Sequence, residues 1–196
     1  MPLLRVTNLV AYRGGHALFA PVTFSVELGE CLRITGGNGA GKTTLLDCIA
    51  GLYSDWKGNI QKPVGQVSYF QQASQYVRTL SLANVSRLVC GFNEVRYNYL
   101  TNSLGLRDHQ QYFLSLLSGG ELQRALLLLA LLRTHTVLLL DEPFANIDKE
   151  SCQAIAAELG RTKGNRATVI VTHPYDGRGR VEECLEYALC TNQCRV

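Results

Sequence analysis

Cys31-Leu-Arg-Ile-Thr35-Gly36-Gly-Asn-Gly-Ala-Gly41-Lys42-Thr43-Thr44 decides how the rest of the chain is read. A short, buried-looking strand, Cys31–Thr35, runs into a glycine-rich loop, Gly36–Gly41. A helix then opens at Lys42 and continues to about Ala50. The loop fits G-x-x-x-x-G-K-[ST] in the context that pattern requires, between a strand and a helix start. Glycines let backbone amides curl around phosphate oxygens. The helix N-terminus adds positive potential at the same point. Lys42 can reach the β- and γ-phosphates, and the Thr43 hydroxyl can ligate Mg2+. Gly36, Gly37, Asn38, Gly39, Ala40, Gly41, Lys42, Thr43 and Thr44 are thus candidate phosphate contacts.

Outward from this loop the chain alternates. Leu3–Thr7, Ala17–Phe19 and Val22–Leu28 read as short N-terminal strands around a Gly14-Gly15 turn. Val67–Phe70 is a strand, and Ser81–Leu116 is helical but irregular. A strong helix begins near Ser118 and continues through Leu132. Val137–Leu140 is purely aliphatic, as expected of a strand buried on both faces of a parallel sheet. Lys149–Leu159 reads as an amphipathic helix, Ala167–Val171 as a buried strand and Leu185–Cys190 as a last strand. Strands alternating with helices predict an α/β core with a mostly parallel sheet.

With 196 residues and 46% apolar content, one domain and one sizeable core are expected. A net charge of +3, from 19 basic and 16 acidic residues, is too balanced to point to nucleic acid. The longest apolar run, Ala125–Leu132, falls far short of the ~18 residues a membrane span needs. The N-terminus lacks the basic-then-apolar order of a signal peptide. The cysteines number 7, and Cys184, Cys190 and Cys194 match no zinc spacing, so reduced thiols are expected.

Two further segments carry chemistry. Val137-Leu-Leu-Leu-Asp141-Glu142-Pro143 sets carboxylates at the carboxyl end of a strand, where ligands bind in such folds. Asp141 suits Mg2+, held through water, and Glu142 suits the attacking water. Leu117-Ser118-Gly119-Gly120-Glu121 precedes the strong helix. Ser118 can cap it, and Gly119-Gly120 leave amides uncovered at its start. That is a second phosphate-binding device. One chain has little use for two γ-phosphate cradles, whereas two chains arranged head-to-tail use both.

In these three segments, in their order and spacing, the chain resembles the ABC (ATP-binding cassette) ATPase family over nearly its whole length. The resemblance implies the P-loop ABC-ATPase fold as one domain, 1–196. Its core is about 1–72 and 117–196, with an N-terminal antiparallel β subdomain. A helical subdomain, about 73–116, is inserted. It implies ATP and Mg2+ as cofactors. Tyr12 stands where the family stacks an aromatic on adenine. Gln72 stands at the Mg2+- and water-sensing glutamine, with Gln71 as the alternative. Phe144-Ala-Asn-Ile-Asp148 resembles the loop that crosses the dimer seam. His173 resembles the histidine that contacts the γ-phosphate, although Pro174 follows where Asp or Gln is frequent.

The resemblance further implies a homodimer or paired ATPase subunit, an integral membrane permease subunit as partner, and no nucleic acid. It implies a peripheral position on the cytoplasmic face of the inner membrane. In the family, a groove beside the helical subdomain receives a helix of the membrane subunit, with Tyr97, Tyr99 and Leu100 as candidate contacts. Phrases such as Asp141-Glu-Pro-Phe-Ala145 resemble both haem exporters of cytochrome c maturation and zinc or manganese importers. A lipid or lipoprotein exporter is a further alternative. A soluble ABC ATPase of DNA repair or iron–sulfur assembly is the competing class. A plain P-loop kinase or GTPase leaves Leu117–Glu121 unexplained.

Overall fold

The computed structural model describes residues 1–71, 79–90, 93–145, 147–172 and 185–189. Two sheets form. In the antiparallel one, β1 (Leu4–Arg13) pairs with β2 (His16–Ala17), β3 (Val22–Val26) and β5 (Trp56–Gln61). In the parallel one, β6 (Val67–Phe70), β7 (Val137–Asp141), β8 (Ala167–Thr172), β4 (Cys31–Thr35) and β9 (Leu185–Ala188) lie side by side in that order.

β1 runs well past the expected Thr7, and β5 was not expected at all. Both follow from one irregularity. The register of β1 shifts between Val6 and Leu9 against β3, and between Thr7 and Val10 against β5. Asn8 sits in this bulge at φ 49°. The bulge turns Leu9, Val10 and Ala11 inward and carries the strand on. It also brings β5 so close that a Cβ on Gly58 would lie 2.5 Å from the Asn8 carbonyl oxygen. Only glycine fits there. Because Lys57, Gly58 and Asn59 are exposed, β5 shows no hydrophobic alternation in the sequence.

The parallel sheet is covered on both faces. Along β7, Leu138 and Leu140 face a cluster that includes Ala125, Leu128 and Ile155. Val137 and Leu139 face the opposite cluster, with Leu45, Leu46, Ile49 and residues of β1. The helices are α1 (Lys42–Ala50) under the second face, and α4 (Gly119–Leu132) and α5 (Lys149–Thr162) under the first. Each fully buried leucine contributes about 1.5–3 kcal/mol. Every residue from Ala125 to Leu132 is buried, so α4 has no polar face there. Its free side is covered by α2 (Leu82–Cys90) and α3 (Glu94–Ser103), the helices that replace the irregular stretch read in sequence.

Arg96 of α3 ties this addition to the core. Its Nη2 donates to the Leu131 carbonyl at 2.6 Å and to Glu158 Oε1 at 2.8 Å. That supplies a partner to an end carbonyl of α4, which the helix itself leaves unbonded. Glu158 is fully buried and also accepts from Arg161, which carries α5 on to Thr162, beyond the expected Leu159.

The cysteine expectation is corrected at one position. Cys48 is a buried free thiol whose pKa burial pushes up to about 12, and the Cys152 thiol is buried against the Ile147 carbonyl. Cys31 is disulfide-bonded. Spacing carries no pairing signal in an odd set, whereas tertiary proximity decides which sulfurs meet.

Candidate functional site: two helix starts and a carboxylate edge

β4, β8 and β7 are neighbours and parallel, so their carboxyl ends share one edge. The loop after β4 and the Asp141–Glu142 pair after β7 therefore flank the end of β8. This is the edge where open α/β sheets bind ligands.

Gly41 is the N-cap of α1 at φ 86°. A Cβ there would come within 2.6 Å of Phe19 Cδ1. Gly39 also has positive φ, 76°. Both facts wrap the loop back over the helix start. Lys42 is buried and its Nζ donates to the Gly36 and Gly37 carbonyls at 2.9 and 3.1 Å. The ammonium thus lies inside the loop, 3.9 Å from Glu142 Oε1. A cavity of about 250 Å³ is lined by Asn38, Gly39, Ala40, Gly41, Lys42, Thr43, Thr44 and Glu142, together with Arg13 and Leu18.

Asp141 Oδ2 accepts from the Thr43 hydroxyl at 2.8 Å. Burial raises the Asp141 pKa above the ordinary carboxylate value. Glu142 and Asp47 add to the rise, while Thr43 and Lys42 oppose it. Glu142 adopts φ 50°, unusual for a residue with a side chain. Its N–H donates to the Val171 carbonyl at 3.0 Å and its carbonyl accepts from Ala145 at 3.1 Å. Those two bonds hold a conformation that costs on the order of 1 kcal/mol. It places the carboxylate beside Lys42.

Ser118 caps α4 with a full capping box. Its Oγ accepts from the Glu121 N–H at 3.4 Å, and Glu121 Oε2 accepts from the Ser118 N–H at 2.8 Å. These bonds to Ser118 hold the Glu121 carboxyl below its usual range. Ser118, Gly119 and Gly120 are exposed, and a Cβ on either glycine would meet nothing within 4 Å. The segment does not line the loop cavity. Among the described residues no neighbour requires glycine there, and each glycine costs a helix roughly 0.5–1 kcal/mol.

The remaining predicted residues are distributed as follows. Tyr12 lies on β1, with its carbonyl bonded by the Tyr53 hydroxyl and Lys57 Nζ 5.4 Å from its ring centre. The cavity wall beside it is Arg13 and Leu18, which the sequence did not single out. Arg13 follows the expected aromatic and could have been suspected as a phosphate partner; Leu18 carries no signal of its own. Gln71 donates to Asp47 Oδ1 at 3.3 Å, and Tyr69 donates to the same oxygen at 3.0 Å. Asp148 caps α5 through the Ser151 N–H at 2.8 Å, and the same bond depresses its pKa. It also pairs with Arg124 at 3.5 Å. Gln123 donates to the Ala145 carbonyl at 2.7 Å, so α4 is tied to the loop that follows Glu142. Gln72, Asn146 and His173 lie outside the described residues.

A glycine loop on a helix start, a lysine within it and a carboxylate-ended strand beside it define a P-loop nucleotide-binding protein. The Ser-Gly-Gly helix start narrows the class. The chain matches the ABC transporter family model over residues 19–145, and it belongs to that family. It is 34% identical over 149 residues to the zinc import ATP-binding protein ZnuC of Pseudomonas putida, covering 74% of this chain and 58% of that one. It is 32% identical over 187 residues to the cytochrome c biogenesis ATP-binding export protein CcmA of Xanthomonas axonopodis, covering 88% and 87%. A solved ATP-binding subunit of an ABC transporter superposes with a TM-score of 0.83 at 25% identity, covering 96% of this chain and 86% of that one. The match thus spans little more than half of the first relative's length and most of the second's. The fold is that of an ABC ATPase cassette, and its nucleotide is ATP.

Proposed function

We propose that the chain is the ATP-hydrolysing subunit of an ABC transporter, working as a head-to-tail pair on a membrane-spanning partner. One observation carries the pairing: an exposed Ser118-Gly119-Gly120 helix start that needs no glycine for its own packing. Its amides suit the γ-phosphate of an ATP held by another copy. Lys42 and the loop amides hold the β- and γ-phosphates from one side, and Ser118–Gly120 of the second chain close from the other. Glu142, fixed in its left-handed turn beside Lys42, orients the attacking water. Gln72, Asp148, Tyr12 and His173 take the sensing, seam, adenine-stacking and γ-phosphate places that the family resemblance gives them.

The donor set fits Mg2+. Thr43 and Asp141 offer hard oxygens within hydrogen-bonding distance of each other, and Asp141 is crowded by other carboxylates that a cation offsets. Among the described residues no cluster of three or more His, Cys, Asp or Glu forms a metal cage, as expected for an ion that is bound largely through phosphates and water. When bound, the ion neutralises charge that develops on the phosphates.

Loss of the γ-phosphate removes the contacts that close the pair, and reopening is the motion delivered to the partner. Among the described residues no helix is long and apolar enough to cross a membrane, so that reading gives the span to another chain. The named relatives are transport subunits, which favours this over a repair or iron–sulfur ATPase. The short helices α2 and α3 agree, since among the described residues no long helix interrupts the cassette. The cargo classes to test are a metal ion, as for the relative named for zinc import, the haem of cytochrome c maturation that the family resemblance suggests, and a lipid or lipoprotein.

Mixing two inactive variants tests the pairing. Lys42→Ala lacks its own loop and Gly120→Asp lacks the cradle it lends. In a head-to-tail pair the mixed dimer rebuilds one intact site, so ATPase activity rises above either variant alone. Activity equal to the mean of the two sinks the shared site. Co-purification of a multi-span membrane protein with this chain from detergent-solubilised membranes tests the transport role. ATPase stimulated by DNA, with no membrane chain bound, overturns it.

A further inference from the structure

Glu121 poses an electrostatic difficulty for the cradle. It is the third residue of α4, and one of its carboxylate oxygens holds the Ser118 N–H. A triphosphate arriving at Ser118–Gly120 therefore meets a negative charge one turn away. The other oxygen, Oε1, lies 3.2 Å from His109 Nε2.

His109 stands on a 3-10 turn, Arg107–His109, that is tied down on several sides. Its N–H donates to the Leu106 carbonyl at 3.1 Å, and its carbonyl accepts from Tyr112 at 3.0 Å. The imidazole meets the Tyr112 ring edge-on, with centres 5.3 Å apart. The same segment anchors the start of α2, because the Ala83 and Leu82 N–H groups donate to the Gln110 and Tyr112 carbonyls at 2.9 and 3.1 Å. Arg124, one turn further along α4, is a cation that also acts on Glu121, but it is paired with Asp148.

The geometry points to His109 as a positioning residue for the cradle: its imidazole engages Glu121 Oε1 and so holds the carboxylate on the Ser118 cap, giving its second oxygen a partner of its own. It touches no reacting atom and acts through Glu121. This rests on the proposed shared site, and it adds a link from the base of α2 to the phosphate-binding start of α4.

The test uses the full chain in the hydrolysis-poor Glu142→Gln background, with ATP and Mg2+ as the probe and dimer formation followed by sedimentation. His109→Ala raises the ATP concentration for half-maximal dimerisation about three-fold or more, the scale of one lost polar side-chain contact. The added change Glu121→Gln keeps an oxygen for the Ser118 cap and removes the charge. In that background His109→Ala has less than about a two-fold effect. A fluorescent ADP, bound by the Lys42 loop alone, keeps its affinity in His109→Ala and shows that the variant is folded. Equal dimerisation with and without His109, or a loss of the same size whether or not Glu121→Gln is present, overturns the inference. If the Glu142→Gln chain forms no ATP-dependent dimer at all, the shared-site reading falls and this one falls with it.

Discussion

The phosphate loop and the Ser-Gly-Gly segment are both glycine-rich starts of helices, yet the molecule treats them in opposite ways. In the loop, Gly41 is demanded from inside: positive φ, and Phe19 where a Cβ would stand. Lys42 is buried and bonded to two loop carbonyls. A carboxylate edge closes the side. At α4 the glycines are exposed and their neighbourhood is empty. The first device is complete within one chain. On the proposed reading, the second serves a phosphate brought by another copy. Internal packing explains a glycine only where a neighbour is in the way, as Phe19 is at Gly41.

The largest test of that contrast removes chemistry and keeps the grip. Glu142→Gln lowers turnover on the order of 100-fold or more while ATP-dependent pairing persists. Steady-state ATPase and sedimentation check it together. Wild-type turnover would remove Glu142 from its role.

Next, Gly120→Asp strikes the open cradle only. It lowers ATPase at least about ten-fold, yet ADP affinity and melting temperature stay near wild type, because among the described residues nothing lies within 4 Å of a Cβ there. A large fall in melting temperature would show that α4 needs this glycine internally.

Gly41→Ala is the converse. Both its φ and the Phe19 contact oppose a methyl group, so stability falls by about 1–3 kcal/mol and ADP binding weakens. Chemical denaturation measures this, and an unchanged midpoint would erase the distinction between the two helix starts.

The smallest expected effect concerns Asp141→Asn. The fold raises this pKa, so the ionised form is less welcome in the folded chain than in the unfolded one. The penalty is full above the raised folded value and vanishes below the unfolded carboxylate value. Asp141→Asn therefore melts higher than wild type at neutral pH without nucleotide, and the gain disappears on acidification. Equal melting temperatures across the range would mean that Asp141 carries no burial penalty.

Much of the site was legible because its motifs are local. A glycine loop before a helix, a carboxylate after an aliphatic strand and a serine cap are short-range patterns, and Gly36–Thr44, Asp141 and Ser118 all lie where their motifs required. The β1 bulge was not legible. Asn8 and Gly58 are far apart in sequence, and their close approach is a property of pairing rather than of either segment. The left-handed turn at Glu142 and the Cys31 disulfide were hidden for the same reason.

By itself, the amino-acid order determined the strand–loop–helix nucleotide grip, the alternating α/β plan and the membership those motifs imply. Local propensity and side-chain chemistry act over a few residues, and a motif contained in such a span needs no knowledge of the rest. Only the tertiary structure decided that Thr43 meets Asp141, that Lys42 approaches Glu142, that His109 reaches Glu121 and that Gly119-Gly120 face open space. Those are encounters between distant segments, set by strand order and helix packing, which no local pattern encodes.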